Sequence, residues 1–141
     1  MKKPTSTNAL NLAELLHTCP MLYGMQRLSG RYKVALLWHI SQHHNRFGVL
    51  RKLLHPVTTK MLSQQLRELE ADGLVSRTIY AEMPPRVEYA LRPEAEALLD
   101  VLEGLRAWGD RLKQRTISEL AVAAESEATS KKTSSEASTT T

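Results

Sequence analysis

The chain has 141 residues, of which 42% are hydrophobic and 24% are charged, and this length allows one domain with a modest core. No stretch approaches the roughly 18 consecutive apolar residues of a membrane span, and the first residues lack the apolar run of a secretory signal. The single cysteine, Cys19, excludes an intrachain disulfide. We therefore expect a cytoplasmic protein with no membrane partner.

Positive charge is concentrated before residue 119. The formal net charge is +4, from 19 basic and 15 acidic residues. Two basic and four acidic residues lie from Glu119 onward, which leaves 17 basic and 11 acidic residues, a net charge of +6, in residues 1–118. A basic domain favours an anionic partner, nucleic acid first, but charge alone does not identify it.

Residues 1–18 are predicted to be an N-terminal arm. Four leucines lie between residues 10 and 16 and predict a short helical segment that packs on a partner chain. Pro20 follows Cys19, and proline is favoured in the first turn of a helix. We therefore expect a helix over residues 20–28.

The next two predicted helices cover residues 31–44 and 47–54. The apolar arc of the first is wide enough for a buried central helix. The second is short and strongly patterned, with Arg51 and Lys52 outside the apolar face. Residues 55–57, which include a proline, then turn the chain.

Residues 58–73 predict a helix that is held on one side and polar on the other. Leu62, Leu66 and Leu69 form its apolar stripe, with the spacing of a helix docked on a core. The opposite arc, called the polar arc below, has two cations and no acid and can hydrogen-bond base edges or phosphates. It consists of Thr59, Lys60, Ser63, Gln64 and Arg67.

A short helix, a tight turn and a longer helix with a polar face are the parts of a helix-turn-helix. An ordinary amphipathic surface helix would show the same local pattern as residues 58–73. Thr58 or Thr59 can cap the start of this helix, and Gly73 can take the left-handed conformation that ends it.

A β-hairpin is predicted after Gly73. Residues 74–80 have an alternating pattern of side chains and include several β-branched residues, which indicates a strand. Two prolines in residues 81–86 remove ladder donors, and residues 87–91 form the return strand. A hairpin beside a helix-turn-helix is the wing of a winged helix, with Arg86 near its tip.

Residues 93–120 predict one long helix. Its leucines keep a heptad spacing, and a helix of this length is longer than so small a core can cover. We therefore expect a dimer interface, although the helix could also fold back on its own domain. The expected interface residues are Leu98, Leu102, Leu105, Trp108, Gly109 and Leu112. Residues 121–141 lack an apolar period and are predicted to be a disordered polar tail, outside the domain of residues 19–118.

The stretches KMLSQQLRELEADGLV and PPRVEYAL, with CPMLYGMQRLSGRYKVALLW, RFGVLRKLL and LLDVLEGLRAWGD, carry a family resemblance. From Cys19 to about Gly109 the chain resembles the HxlR-type winged helix-turn-helix transcriptional regulators. It departs from the usual family pattern at residues 29–32, 43–45 and 92–96. The resemblance implies a mainly α fold with a small β-hairpin, N- and C-terminal dimerisation helices, and a bacterial, cytosolic homodimer that binds operator DNA.

Such a dimer would place two polar arcs in successive major grooves if they lie one helical turn apart, near 34 Å. Base edges would be read by Thr59, Ser63, Gln64 and Arg67, and phosphates would be bound by Lys60, Arg51 and Lys52. Arg77 and Arg86 would reach the DNA through the wing. For any one of these residues, a solvated surface side chain is the simpler alternative.

The resemblance also points to Cys19, because several family members sense electrophiles or oxidants through a cysteine in a Cys-Pro dipeptide. Its position at a helix N-terminus, with His17 two residues away, favours the thiolate. The alternative is a small buried apolar side chain, the common fate of a free cysteine. With one thiol, a switch is limited to an intersubunit disulfide, a mixed disulfide or an adduct.

No metal, cofactor or enzymatic activity is expected. His39 and His43 stand four residues apart but lack a third ligand at regular spacing. Cys19 with His17 is not a catalytic constellation, because no group orients the base. The leading hypothesis is a homodimeric, sequence-specific transcription regulator that binds double-stranded operator DNA. The alternative is a winged-helix module that binds protein or RNA without specific operator binding.

Overall fold

The computed structural model describes residues 7–136 and divides into two units, of which the first ends at Leu99. The first unit contains six helices and two strands among its described residues. They are α1 (Thr7–Thr18), α2 (Pro20–Arg27), α3 (Lys33–Ser41), α4 (Phe47–Leu53), α5 (Thr59–Ala71), β1 (Val75–Tyr80), β2 (Arg86–Leu91) and α6 (Pro93–Glu96). The predicted mainly helical winged helix-turn-helix with a small hairpin is confirmed. None of the helices within residues 7–136 combines the length and the hydropathy that crossing a bilayer requires.

The core of the first unit is built from leucines of three helices. α3 contributes Leu36 and Leu37, and α4 contributes Leu50, all at most 1% exposed. The predicted stripe of α5 supplies the other side of this core, because Leu62, Leu66 and Leu69 are equally buried. Burial of this stripe fixes which face of α5 points outward.

The ends of α5 follow from its sequence. The Met61 backbone N–H donates to the Thr58 hydroxyl over 3.1 Å, which satisfies one of the free donors of the first turn. Gly73 follows the helix with a φ of 73°, a conformation that costs other residues about 1–2 kcal/mol. Both predicted end signals are confirmed, with Thr58 as the cap.

Replacing Thr58 with alanine is expected to lower the free energy of unfolding by about 0.5–2 kcal/mol, because the Met61 N–H loses its acceptor. Urea unfolding followed by circular dichroism measures this loss. Thr58→Ser keeps the hydroxyl and is the matched control. Equal losses in the two variants would mean that the cap bond contributes nothing.

The wing is an antiparallel pair in which Val75 lies opposite Leu91 and Tyr80 opposite Arg86. The wing is tied to the link between α3 and α4, because the Tyr89 N–H in β2 donates to the Asn45 carbonyl over 2.8 Å. A proline-containing loop, residues 81–85, joins the strands. The wing therefore has a fixed position beside α5, with which β1 is in contact.

The second unit begins at Asp100, and most of it is helix α7 (Leu99–Glu136). A helix begins at Pro93, as predicted, but the single helix predicted over residues 93–120 is interrupted after Glu96 and its second part continues to Glu136. The chain turns at Ala97 and Leu98, where the Leu98 N–H bonds the Ala95 carbonyl three residues back. Residues 121–136 are helical and not disordered, and nine of these sixteen residues are alanine, glutamate or lysine, which are strong helix formers. Residues 137–141 of the predicted tail lie outside the described residues.

Part of the predicted dimer seam is covered within the single chain, since Leu102 is buried and Leu98 is half-buried. Large apolar side chains are instead exposed at intervals of four, three and four residues, which places them on one side of the helix. This exposed stripe consists of Val101, Leu105, Trp108 and Leu112. Gly109, predicted in the seam, is half-buried.

Candidate nucleic-acid interface

The polar arc of α5 faces outward. Thr59, Lys60, Gln64 and Arg67 are exposed, and Ser63 is half-buried. The arc can therefore contact a macromolecule without any rearrangement of α5, whose opposite face is held in the core. The preceding helix α4 exposes Arg51 and Lys52, which were predicted to bind phosphates.

One carboxylate borders this arc, although the arc itself contains no acid. The Gln64 amide nitrogen donates to a Glu68 oxygen over 3.2 Å, one turn along α5. The other Glu68 oxygen lies 2.6 Å from the Lys33 ammonium, which projects from α3. The hydrogen bond from Lys33, then that from Gln64, lowers the pKa of Glu68 below its usual value. Glu68 is therefore ionised near neutral pH.

Three of the predicted contact residues are brought together in one cleft between α5 and the wing. Ser63 and Arg67 enter it from α5, and Arg77 enters it from β1. The cleft is lined by Phe47, Ser63, Arg67, Glu70, Arg77, Val87 and Tyr89. Burial raises the pKa of the Tyr89 phenol; the charge of Arg77 opposes that rise, that of Glu70 adds to it, and that of Arg67 opposes it. The cleft therefore brings two guanidinium groups and one carboxylate together between α5 and the wing.

Arg86 is held differently from the other predicted contacts. Its guanidinium lies 3.4 Å from a Glu82 oxygen and 3.5 Å from a Glu88 oxygen, and it stacks 4.2 Å above the Tyr80 ring. The side chain is half-buried at the start of β2. A DNA phosphate at Arg86 would have to compete with two carboxylates, so Arg77 is the better placed cation of the wing.

Cys19 caps the start of α2 with an extended backbone, and its side chain makes no capping hydrogen bond. Cys19 is half-buried and is not in a disulfide. Around it, α1 and α2 contain no buried residue and expose large apolar side chains, among them Leu10, Leu15, Met21 and Met25. The N-terminal helices thus present apolar surface on both sides of Cys19.

The histidines do not form a metal centre in the part of the chain that the structure describes. No three side chains of His, Cys, Asp or Glu within residues 7–136 are grouped so that they could hold an ion. The predicted neighbour of His39 was His43, but its ring contacts His44, 6.0 Å between centroids. Burial, then the charge of His44, lowers the pKa of His39.

A family model matches most of the described chain. The model of the HxlR-like helix-turn-helix family covers residues 27–117, from the end of α2 well into α7. This chain belongs to the HxlR-like helix-turn-helix family. The match contains the polar arc, the wing and the exposed stripe, whereas Cys19 lies just before it.

The alignment with this chain covers more than two thirds of the length of several curated relatives. The chain is 38% identical over 97 residues to the HTH-type transcriptional regulator YdeP of Bacillus subtilis, which is 69% of this chain and 76% of that protein. It is 41% identical over 85 residues to YtcD of the same organism, 60% of this chain and 68% of that protein. Among solved structures, the redox regulator HypR in its oxidized form has a TM-score of 0.63 at 35% identity, covering 66% of this chain and 96% of that one.

Sequence reasoning missed the residues that support the polar arc. Gln64 and Glu68 stand four residues apart on one helix, a spacing that signals a side-chain pair and was open to detection. The contact between Lys33 and Glu68 had no such signal, because it joins two helices 35 positions apart in the numbering. Tyr89 in the cleft was missed for the same reason, because it lies on β2, far from α5 in the sequence.

Proposed function

We propose that the chain is a homodimeric transcription regulator that binds double-stranded operator DNA with the polar arc of α5 in the major groove. The observation that carries the proposal is the exposure of this arc beside a wing cation, Arg77, which lines the same cleft as Arg67. A helix in the major groove and a wing at the adjacent backbone contact the two kinds of group that duplex DNA offers. The relatives are regulators of the HTH type, which does not favour a module restricted to protein or RNA.

Within this interface the residues have different tasks. Gln64 and Arg67 carry planar groups that suit adenine and guanine respectively, and Thr59 and Ser63 can bond either base or backbone. Lys60, Arg51 and Lys52 contact phosphates, and Arg77 contacts the backbone next to the wing. Arg86 is a secondary contact because its charge is already paired.

The test is a gel shift with the upstream region of the chain's own gene over a series of salt concentrations. Arg67→Ala is expected to weaken operator binding by about 1–3 kcal/mol, and Lys60→Ala to reduce the salt slope by about one unit. Arg67→Lys is the matched control, since it keeps the charge but loses the bidentate fork. Absence of any sequence preference in the unaltered chain at low salt would overturn the proposal.

We also infer that Cys19 is the site at which an oxidant or electrophile acts on this regulator. The support is a half-buried thiol between two helices with exposed apolar surface, where a covalent change alters the packing of a second chain. HypR, a relative in structure, is described as a redox regulator and has been solved in oxidized and reduced forms.

Treatment with diamide is expected to change operator affinity in the unaltered chain and to leave the Cys19→Ser variant unchanged. The reason is that this chain has one thiol, so every thiol-dependent response must pass through it. Gel shifts before and after oxidation measure the response, and intact-mass spectrometry distinguishes a disulfide-linked dimer from an adduct. An equal response in Cys19→Ser would exclude this role.

A further inference from the structure

We propose that Glu68 is a positioning residue that fixes the amide of Gln64 for reading a base, and that Lys33 of α3 holds Glu68 in place. This inference rests on the proposed function, because it assigns a task to residues beneath the polar arc. The geometry is a chain of two contacts, from Lys33 to Glu68 over 2.6 Å and from Glu68 to Gln64 over 3.2 Å.

The ionised Glu68 decides which end of the Gln64 amide faces it. A carboxylate only accepts hydrogen bonds, so the amide nitrogen must point toward it and the amide oxygen must point away. In a glutamine without this neighbour, the two ends of the amide exchange freely by rotation about the last side-chain bond. The contact with Glu68 therefore selects one of two orientations on the exposed face of α5.

That orientation matters because adenine and guanine offer different groups in the major groove. Adenine presents one acceptor and one donor, and guanine presents two acceptors. The Gln64 amide retains an outward oxygen and one unused N–H, which together match adenine. If the amide could turn over, its position relative to α5 would no longer be fixed before binding, and the preference for adenine would weaken.

Lys33 explains why Glu68 itself stays in place. The Lys33 side chain is 6% exposed, whereas that of Glu68 is 40% exposed. A buried ammonium requires a paired anion, because its desolvation is otherwise uncompensated. The stem of Lys33 lies close against Gly30, where an added Cβ would be 3.0 Å from its Cδ. The buried Lys33 thus holds Glu68 in place, whereas a surface glutamate without such a partner would be free to move.

The experiment compares binding to an operator with binding to a set of single base-pair replacements, alongside nonspecific DNA. The proteins are the full-length unaltered chain, Gln64→Ala, Glu68→Gln and the Gln64→Ala/Glu68→Gln double variant. Gln64→Ala identifies the base pair at which discrimination is lost. At that base pair, Glu68→Gln is expected to reduce discrimination by roughly 5- to 100-fold. Its affinity for nonspecific DNA should change no more than the affinity of the charge-control variant does. In the Gln64→Ala background, Glu68→Gln should have no further effect.

Asp72→Asn is the charge control. It removes the same charge at the residue that caps the end of α5, where Asp72 lies 3.8 Å from Arg27, and Asp72 neither lines the cleft nor makes either contact of Glu68. A general gain in affinity that comes only from losing one acid will appear in both variants. Loss of base discrimination should appear in Glu68→Gln alone.

A folding defect is separated from the positioning role by Lys33→Met/Glu68→Gln, which removes the buried cation together with its partner. We expect this variant to unfold near the melting temperature of the unaltered chain and still to lose discrimination at the Gln64 base pair. Full discrimination in Glu68→Gln or in Lys33→Met/Glu68→Gln would overturn the inference while leaving the regulator assignment intact. Failure of the unaltered chain to prefer any DNA sequence would overturn the proposed function, and the inference with it.

Discussion

Replacing Leu66 with alanine is expected to lower the free energy of unfolding by about 2–5 kcal/mol, a large part of the stability of a domain of this size. Leu66 is 1% exposed and lies in the stripe that fixes α5 on the core. Removing three side-chain carbons leaves a cavity that the surrounding leucines can fill only in part. Chemical denaturation followed by far-ultraviolet circular dichroism gives the loss directly.

Leu53→Ala on α4 provides the matched control, because this leucine is 44% exposed. It removes the same atoms from a site that water already reaches, so we expect the free energy of unfolding to fall by less than about 1 kcal/mol. A comparable loss at the two positions would show that α5 is not held by its apolar stripe. The outward orientation of the polar arc would then need another explanation.

Replacing Leu105 with lysine is expected to convert the protein to a monomer and to weaken operator binding by about 10²- to 10⁴-fold. Leu105 is 46% exposed in the single chain and lies in the exposed stripe between Val101 and Trp108. A charge there would have to be buried without a partner in a dimer. A monomer also loses the linkage between two half-sites, which is the origin of the second effect.

Gln114→Lys introduces the same charge on α7 at an exposed position away from the stripe. This control should remain dimeric and bind the operator normally. Light scattering after size-exclusion chromatography gives the oligomeric state, and gel shifts give the affinity. A Leu105→Lys variant that remains dimeric would exclude the exposed stripe as the contact between protomers.

The elements of the first unit could be predicted because their signals are local. The apolar stripe of α5, the cap at Thr58 and the left-handed Gly73 are all set by residues within one or two helical turns. The wing follows from alternating residues on either side of a proline-containing loop. Such patterns depend on the backbone and on contact with one core, and they need no knowledge of distant neighbours.

Features outside this local range were missed or placed wrongly. The turn at Ala97 and Leu98 interrupts a run of good helix formers, so nothing in the neighbouring sequence indicates it. Beyond residue 120 the absence of an apolar period predicts disorder, whereas the backbone is helical to Glu136. Threonine hydroxyls also bond within this segment, as Thr133 does to the carbonyl of Thr129 over 2.7 Å.

Within the candidate interface, exposure could be predicted but charge pairing could not. The polar arc is where the periodicity of α5 puts it. Arg86 was expected to be available to DNA, yet two acids that surround it in sequence also surround it in space. The anchoring of Glu68 by Lys33 depends on how α3 crosses α5, which no pattern within either helix specifies.

The link from Lys33 through Glu68 to Gln64 has a consequence for attempts to redesign this protein for new target sites. Exchanging Gln64 alone would leave the Glu68 carboxylate beside the new side chain. This carboxylate would attract an arginine or lysine into an internal ion pair and repel an aspartate or glutamate. Libraries confined to the outward positions would therefore sample a biased set of specificities. Randomising Gln64 together with Glu68 and Lys33, on two different helices, would open the remaining part of that set.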